Sequence, residues 1–203
     1  MIRLLPALMF GLAIVGCSCS ADPNEAARQK PPQNQTNPGN DKQAPDLDPA
    51  VAAAQEKAIA FITGKKGKFK RSDHTISEVD LSFKPITDAE LKELTTLTNL
   101  TVLNLNYTQV TDSGLKELAT FNNLSTLTLR GTKVTGVGFR ALSPLKNLSS
   151  LDLRATPVND SGLREIATLK NLTTLDLIAI MGTVEGVNDL QRALPRCKIE
   201  KIQ

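Results

Sequence analysis

The 203-residue sequence is poor in the residues that most metal, redox and nucleic-acid sites require. It has a single His, so a metal site or proton relay that needs several imidazoles is excluded. It has six Phe, one Tyr and no Trp, which are too few rings for a platform that stacks bases or sugars. Lys and Arg total 24 while Asp and Glu total 21, so the net charge of +3 does not indicate nucleic-acid binding. The composition predicts no cofactor, no metal and no small-molecule substrate.

Cysteine is also scarce, with three residues in the chain. Two of them, Cys17 and Cys19, lie close together near the start, so the sequence does not encode a disulfide framework. The third, Cys197, lies in an apolar context near the end, where a packed thiol is expected rather than a reactive one.

The chain begins with a short apolar segment. Arg3 precedes an apolar stretch from Leu4 to Val15, which is shorter than the roughly 20 residues that span a membrane. A cation followed by such a stretch is typical of a secretory signal peptide. The following residues, Ile14-Val15-Gly16-Cys17, resemble the bacterial lipobox.

This resemblance implies that residues 1–16 are a lipoprotein signal peptide and that Cys17 becomes the lipidated first residue. Several acyl chains hold a protein to a membrane firmly, whereas one does so only marginally. An uncleaved anchor and an ordinary cleaved signal are the alternatives, and Cys19 is a poorer acceptor than Cys17. Ser18 after the lipidated cysteine favours the outer membrane or the periplasmic face of the cell envelope.

A polar tract, residues 17–47, follows. Its segment 21–47 contains five Pro, four Asn and four Gln, with Leu47 as the only large apolar residue. Such a segment buries too little surface to offset the entropy of ordering it. We expect a disordered tether between the lipid and a folded domain.

The rest of the chain repeats itself with a period of 24 residues. The pair Asn-Leu recurs at 99–100, 123–124, 147–148 and 171–172, and each pair begins an L-x-x-L-x-L pattern. Alternating leucines place one side of a short strand in a core. The second half of each unit has apolar residues at helical spacing, such as Leu115 and Leu118. Thr87 and Glu90 predict a capping box at the first such helix.

These units resemble the short bacterial leucine-rich repeats of the form N-L-x-x-L-x-L-x-x-T-x-V-T-D-x-G-L, which are abundant in planctomycete-type envelope proteins. The resemblance implies an α/β solenoid of about five repeats over residues 75–194, with parallel strands on the concave face and helices on the convex face. Thr108, Thr132 and Thr156 share one loop column and are expected to satisfy backbone groups there. The glycines at 114, 138, 162 and 186 are expected to permit a tight arch between strand and helix.

Both ends of the solenoid need a cap, because a solenoid exposes its core there. Residues 48–74 predict an N-terminal cap that begins at Asp48-Pro49 and contains a helix ending at Gly64. Five cations between Lys65 and Arg71 favour an edge strand that resists pairing with another sheet, with a basic patch as the alternative. Residues 195–203 predict a closing strand. The apolar run 178–181 is either covered by this cap or an exposed contact site, and the cap is slightly favoured.

The side chains between the strand leucines, and those just after each strand, define a concave ledge that suits a protein edge or a peptide. Its N-terminal half is predicted to be acidic and aromatic, and its middle to contain the pair Arg130 and Arg154 beside Asp152. The candidate protein-binding residues are Glu78, Asp80, Phe83, Val102, Asn104, Asn106, Tyr107, Thr126, Thr128, Arg130, Asp152, Arg154, Asp176 and Ile178.

A catalytic or calcium site is the weakest alternative. Asp152 and Asp176 share one column on adjacent strands, but an open sheet offers no cleft with two different environments. Calcium also requires six to eight oxygen ligands, which this column does not supply. His74 has no Ser or Cys motif beside it and is expected to lie in the cap or on the surface.

The sequence therefore predicts a monomeric, non-catalytic, lipid-anchored envelope protein that recognises an unidentified protein through its concave face. The alternative is a structural envelope lipoprotein that binds cell-wall polymer. An envelope hydrolase that uses Asp152 and Asp176 ranks last.

Overall fold

The computed structural model describes residues 49–72 and 74–201. The predicted signal peptide, Cys17, the tether and Asp48 lie outside the described residues. The first described element is the N-terminal helix α1, Pro49–Gly64, and the last is a short C-terminal strand.

Seven strands form one sheet in chain order. They are β1 Lys68–Ser72, β2 Thr75–Asp80, β3 Val102–Asn104, β4 Thr126–Thr128, β5 Ser150–Asp152, β6 Thr174–Asp176 and β7 Lys198–Glu200. β1 pairs antiparallel with β2, and every later pair is parallel. The register equals the sequence period, so that Leu103 lies beside Leu127 and Leu127 beside Leu151. The solenoid that the repeats predict is confirmed.

Short helices return the chain between the parallel strands. After α1 come a 3-10 helix at Asp88–Leu94, α2 at Leu115–Leu118, a 3-10 helix at Phe139–Leu142, α3 at Asp160–Ile166 and α4 at Val184–Ala193. The predicted capping box at Thr87 and Glu90 is present at the first 3-10 helix. The first four of these helices span four to seven residues, and α4 spans ten.

One continuous apolar core runs through the repeats. The strand leucines, the loop valines at 110, 134 and 158 and the helix residues at 115, 139 and 163 are all at most 1 % exposed. Each unit presents its apolar side chains to the units before and after it, so no unit closes a core alone.

The predicted threonine column satisfies buried backbone carbonyls. Thr108 Oγ1 donates to the Leu105 carbonyl at 2.7 Å, and Thr132 Oγ1 donates to the Leu129 carbonyl at the same distance. Thr156 Oγ1 donates to the Leu153 carbonyl at 2.6 Å. All three threonines are buried, so each hydroxyl supports the turn after its strand.

Aspartates at the start of the repeat helices hold successive repeats together. Asp112 Oδ2 accepts from the Thr135 backbone N–H at 3.1 Å and from Thr135 Oγ1 at 2.6 Å, while Asp112 Oδ1 accepts from the Gly136 N–H at 2.9 Å. Asp88 makes the corresponding bonds to Thr111, and Asp160 makes them to Thr183. Each carboxylate thus fixes the loop of the following repeat.

Glycine is required at the helix starts for a different reason from the one that the sequence suggested. Gly114 and Gly138 have ordinary helical φ values of −68° and −89°, so no unusual backbone arch requires glycine there. What requires it is space between repeats. A Cβ on Gly114 would lie 2.5 Å from Asp88 Oδ1, and one on Gly162 would lie 2.4 Å from the Thr135 carbonyl oxygen.

The sheet has a strand from each cap as well as five from the repeats. β1 confirms the predicted edge strand, and β7 confirms the predicted closing strand. Cys197 precedes β7 and is 4 % exposed, and burial raises the pKa of its thiol. The thiol therefore stays protonated and packed at neutral pH. Within residues 49–72 and 74–201, no helix is long and apolar enough to cross a membrane.

The column of aspartates at the helix starts, Asp88, Asp112 and Asp160, predicts a large loss of stability when one carboxylate is removed. Asp112→Ala removes a carboxylate that accepts three hydrogen bonds from the next repeat. We expect the free energy of unfolding to fall by about 2–3 kcal/mol, because the backbone donors of Thr135 and Gly136 lose a charged acceptor. Urea denaturation followed by circular dichroism measures this loss.

The matched control is Asp189→Ala, which removes an exposed carboxylate that pairs with Arg192 on the same helix. It should leave the denaturation midpoint unchanged. Equal midpoints for the two variants would contradict the role assigned to the aspartate column.

Candidate functional site

The predicted concave residues lie in four adjacent columns that cross the sheet from β2 to β6. Those within the strands stand side by side in register, as Glu78 beside Val102 and Asp152 beside Asp176. None of the predicted residues is buried, and two are largely exposed, Phe83 at 71 % and Tyr107 at 41 %. The structure brings them together on one continuous surface.

Several polar residues of the central column have structural partners that the sequence did not reveal. Asp80, Asn104, Asp152 and Asp176 each accept a hydrogen bond from the backbone N–H two residues later, at 2.9–3.1 Å. Thr128 Oγ1 donates to Asn104 Oδ1 at 2.9 Å, and Asn106 Oδ1 accepts from the Arg130 N–H at 2.8 Å. These side chains hold the turn that ends each strand.

The N-terminal half of the concave face is not acidic, contrary to the prediction. β1 places Lys70 opposite Glu78 and Lys68 opposite Asp80. Lys70 Nζ lies 2.7 Å from Glu78 Oε2, so that carboxylate is paired. The prediction was wrong because it counted only the repeat strands and left out the cations of the edge strand.

Arg154 occupies the space between the two aspartates that formed the candidate catalytic pair. Its guanidinium bonds Asp152 Oδ2 at 2.6 Å and lies 3.2 Å from Asp176 Oδ2. The hydrogen bonds that Arg154 donates to Asp152 raise the pKa of the Arg154 guanidinium above its usual value. An ion-paired aspartate pair is poorly suited to general acid–base catalysis. In the described part of the chain, no cluster of three or more His, Cys, Asp or Glu residues has the geometry of a metal site.

The column after the strands has an unusual backbone that sequence reasoning missed. Phe83, Tyr107, Ala155 and Ala179 have φ values of 59°, 55°, 52° and 60°, and Gly131 has 65°. Left-handed backbone is rare for bulky residues. Bonds between repeats impose it, since the Phe83 N–H donates to the Asn106 carbonyl at 2.9 Å and the Tyr107 N–H donates to the Arg130 carbonyl at 2.6 Å. Gly131 was the one residue of this column whose type could have indicated a left-handed backbone from the sequence.

Phe83 and Tyr107 form a stacked aromatic pair. Their ring centroids are 4.7 Å apart, with 16° between the ring planes. The Tyr107 ring also lies against Gly131, where a Cβ would lie 2.5 Å from ring atom Cδ1. Arg130 Cζ lies 5.5 Å from the Tyr107 centroid, within the range of a cation–π contact. Glycine at 131 therefore leaves room for the ring.

The apolar run 178–181 lies at the other end of the same column and is covered only in part. Ile180 packs against the core, whereas Met181 is 73 % exposed. The slightly favoured prediction that the C-terminal cap covers this run is therefore wrong for Met181.

The concave surface is shallow. A hollow of about 290 Å³ lies beside β1, β2 and β3, and its walls include Lys68, Glu78, Val102 and Asn104. This volume lies just below the usual range for small-molecule pockets, which are also more enclosed. An open ledge of this kind suits a chain that lies across it.

The sequence is similar to a known repeat family, and the fold is similar to several solved structures. The family model described as "Leucine Rich repeat" matches residues 96–119. No curated protein matches the sequence. Among solved structures, the chain is similar to a leucine-rich-repeat protein of Leptospira interrogans, with 27 % identity, a TM-score of 0.46 and coverage of 54 % of this chain and 27 % of that one.

Two further solved structures are similar at 16 % identity. An internalin of Listeria monocytogenes has a TM-score of 0.38, with coverage of 76 % of this chain and 58 % of the internalin. The leucine-rich-repeat ectodomain of a receptor kinase from Arabidopsis thaliana has a TM-score of 0.46, with coverage of 74 % and 92 %. The chain thus spans about a quarter of the Leptospira protein and 58 % of the internalin.

The family match covers one repeat, and the strands on either side of that repeat continue its register at a spacing of 24 residues. The repeats of this chain form a leucine-rich-repeat solenoid.

Proposed function

We propose that this protein is a non-catalytic recognition module that binds another protein through the concave face of its repeats and the adjoining edge. The observation that carries this proposal is the exposed, stacked pair of Phe83 and Tyr107. Aromatic and arginine side chains are the residue types that most often anchor protein interfaces.

The fold itself does not require these two rings. The same backbone position holds Gly131, Ala155 and Ala179 in the other repeats, with the same sign of φ. A non-glycine residue there costs about 1–2 kcal/mol, which a stacked pair worth about 0.5–1.5 kcal/mol only partly offsets. Large rings at strained, exposed positions favour a role outside folding.

Arg154 is unsuitable for testing this surface, because its removal would leave Asp152 and Asp176 facing each other unpaired. Phe83→Ala with Tyr107→Ala is the better variant, since alanine occupies the same column in two other repeats. We expect the full chain, in a mild non-ionic detergent, to capture a protein from a native envelope extract. The double variant should lose that protein while keeping its circular dichroism spectrum.

Val137→Ala is the matched control, since it removes an exposed apolar side chain at 59 % exposure outside the concave columns. It should capture the same protein as the unaltered chain. Retention of the partner by the folded double variant would contradict the proposal. Retention on purified cell-wall polymer, independent of both rings, would favour the structural alternative instead.

We further propose that the chain is anchored in the bacterial envelope by lipid on Cys17, with its first 16 residues removed. The support is the lipobox-like Ile14-Val15-Gly16-Cys17 and the polar tract that follows. In a bacterial host given labelled palmitate, the chain should incorporate label and Cys17→Ser should not, whereas Cys19→Ser should. Equal labelling of the Cys17→Ser variant would overturn the assignment.

A further inference from the structure

The loop edge of the solenoid combines positive charge with apolar surface. We define it as residues 82–85, 106–109, 130–133, 154–157 and 178–181, which follow the carboxyl ends of β2 to β6. These segments contain four cations, Lys84, Arg130, Lys133 and Arg154, and no acidic residue. Because parallel strands end on the same side of a sheet, the five segments form one continuous strip.

Most of this positive charge has no counter-charge within the described residues. Arg154 is paired with Asp152 and Asp176. Lys84, Arg130 and Lys133 have no carboxylate within 4 Å among residues 49–72 and 74–201. In that same part of the chain, Arg130 Nε is buried and has no hydrogen-bond partner. The Arg130 Nε–H is thus an unused donor, and the guanidinium lies beside the Tyr107 ring.

The apolar component of the loop edge is exposed at both ends. Phe83 and Tyr107 lie at one end, and Met181, which is 73 % exposed, lies at the other. The positions between these two ends have small side chains or none, at Gly131, Ala155 and Ala179. Side chains of this column therefore project less in the middle of the strip than at its ends. Adjacent strands lie about 4.8 Å apart, so the strip is about 19 Å long, the length of some six residues of extended chain.

We propose that the loop edge binds an extended acidic peptide segment of a partner protein, with an apolar or aromatic side chain of that segment against Phe83 and Tyr107. Carboxylates of the segment accept hydrogen bonds from Arg130 and lie near Lys84 and Lys133. Guanidinium and carboxylate form the strongest hydrogen bonds available to this surface. The proposal rests on the proposed recognition function and names the chemistry of its partner.

Two peptide libraries test this specificity with the full chain. Both contain short capped peptides with one Phe, Tyr or Leu; the remaining positions are Glu, Asp, Gly and Ser in the acidic library, and Gln, Asn, Gly and Ser in the amide library. The chain should enrich acidic peptides over amide peptides. In fluorescence anisotropy with an enriched acidic peptide, Arg130→Gln should weaken binding about tenfold or more, the effect of losing charged hydrogen bonds. Phe83→Ala should weaken it as well.

Arg140→Gln is the matched control, because it removes the same charge from an exposed position on the helix Phe139–Leu142. It should leave the affinity for the acidic peptide unchanged. Equal enrichment of both libraries, no enrichment of either, or equal affinity of Arg130→Gln and the unaltered chain would overturn the acidic-peptide proposal. Arg130-dependent binding to phosphatidylglycerol vesicles without peptide enrichment would overturn it in favour of a membrane surface.

The two proposals can fail separately. If the aromatic double variant loses a captured protein but no acidic peptide binds, recognition stands and the acidic specificity fails. If the double variant keeps the captured protein and no peptide binds, both proposals fail.

Discussion

The structure depends on the equality between the sequence period and the stacking register. From β3 to β6 each strand residue pairs with the residue 24 positions later, and bonds across 23 residues join the aspartates at the helix starts to threonines in the loop of the next repeat. An insertion within a unit would shift leucines, threonines and aspartates out of their columns together. The columns explain why short helices and three-residue strands suffice, because most of their stabilising contacts lie in neighbouring units.

This stacking also shapes the surface on which recognition is proposed. Phe83, Tyr107, Gly131 and Ala155 have left-handed backbone, and each donates its N–H to the next repeat. Gly131 also leaves space for the Tyr107 ring. The rings are therefore held in place by the framework before any ligand arrives. A surface that is ordered in the free state loses less entropy on binding than a flexible one.

Much of the fold could be predicted from the sequence because its signals are local and repeated. The alternation of leucines around Leu103, Leu127 and Leu151 predicts the strands. The spacing of Thr87 and Glu90 predicts the capping box. The partnerships of charged side chains were harder to predict. That Arg154 binds Asp152 and Asp176, and that Lys70 binds Glu78, depends on strand neighbours and rotamers that periodicity does not specify. The left-handed column was missed because Phe and Tyr give no sign of positive φ.

The charges that remain after this internal pairing distinguish the loop edge from the rest of the concave face. Across the strands, cations and carboxylates mostly neutralise one another within the sheet. At the loop edge, Lys84, Arg130 and Lys133 have no ion-pair partner within the described residues, and the exposed Phe83 and Tyr107 rings lie on the same strip. This combination of positive charge and apolar surface is the basis for proposing a ligand that is both acidic and apolar.

The central claim is that the aromatic pair is already formed in the free protein, and solution NMR of the unliganded full chain tests it most directly. A preformed pair should give ring-to-ring nuclear Overhauser effects between Phe83 and Tyr107 and an upfield ring-current shift of the Gly131 Hα protons. The amide couplings at 83 and 107 should be consistent with positive φ. Independently moving rings with averaged couplings would contradict a preformed recognition surface.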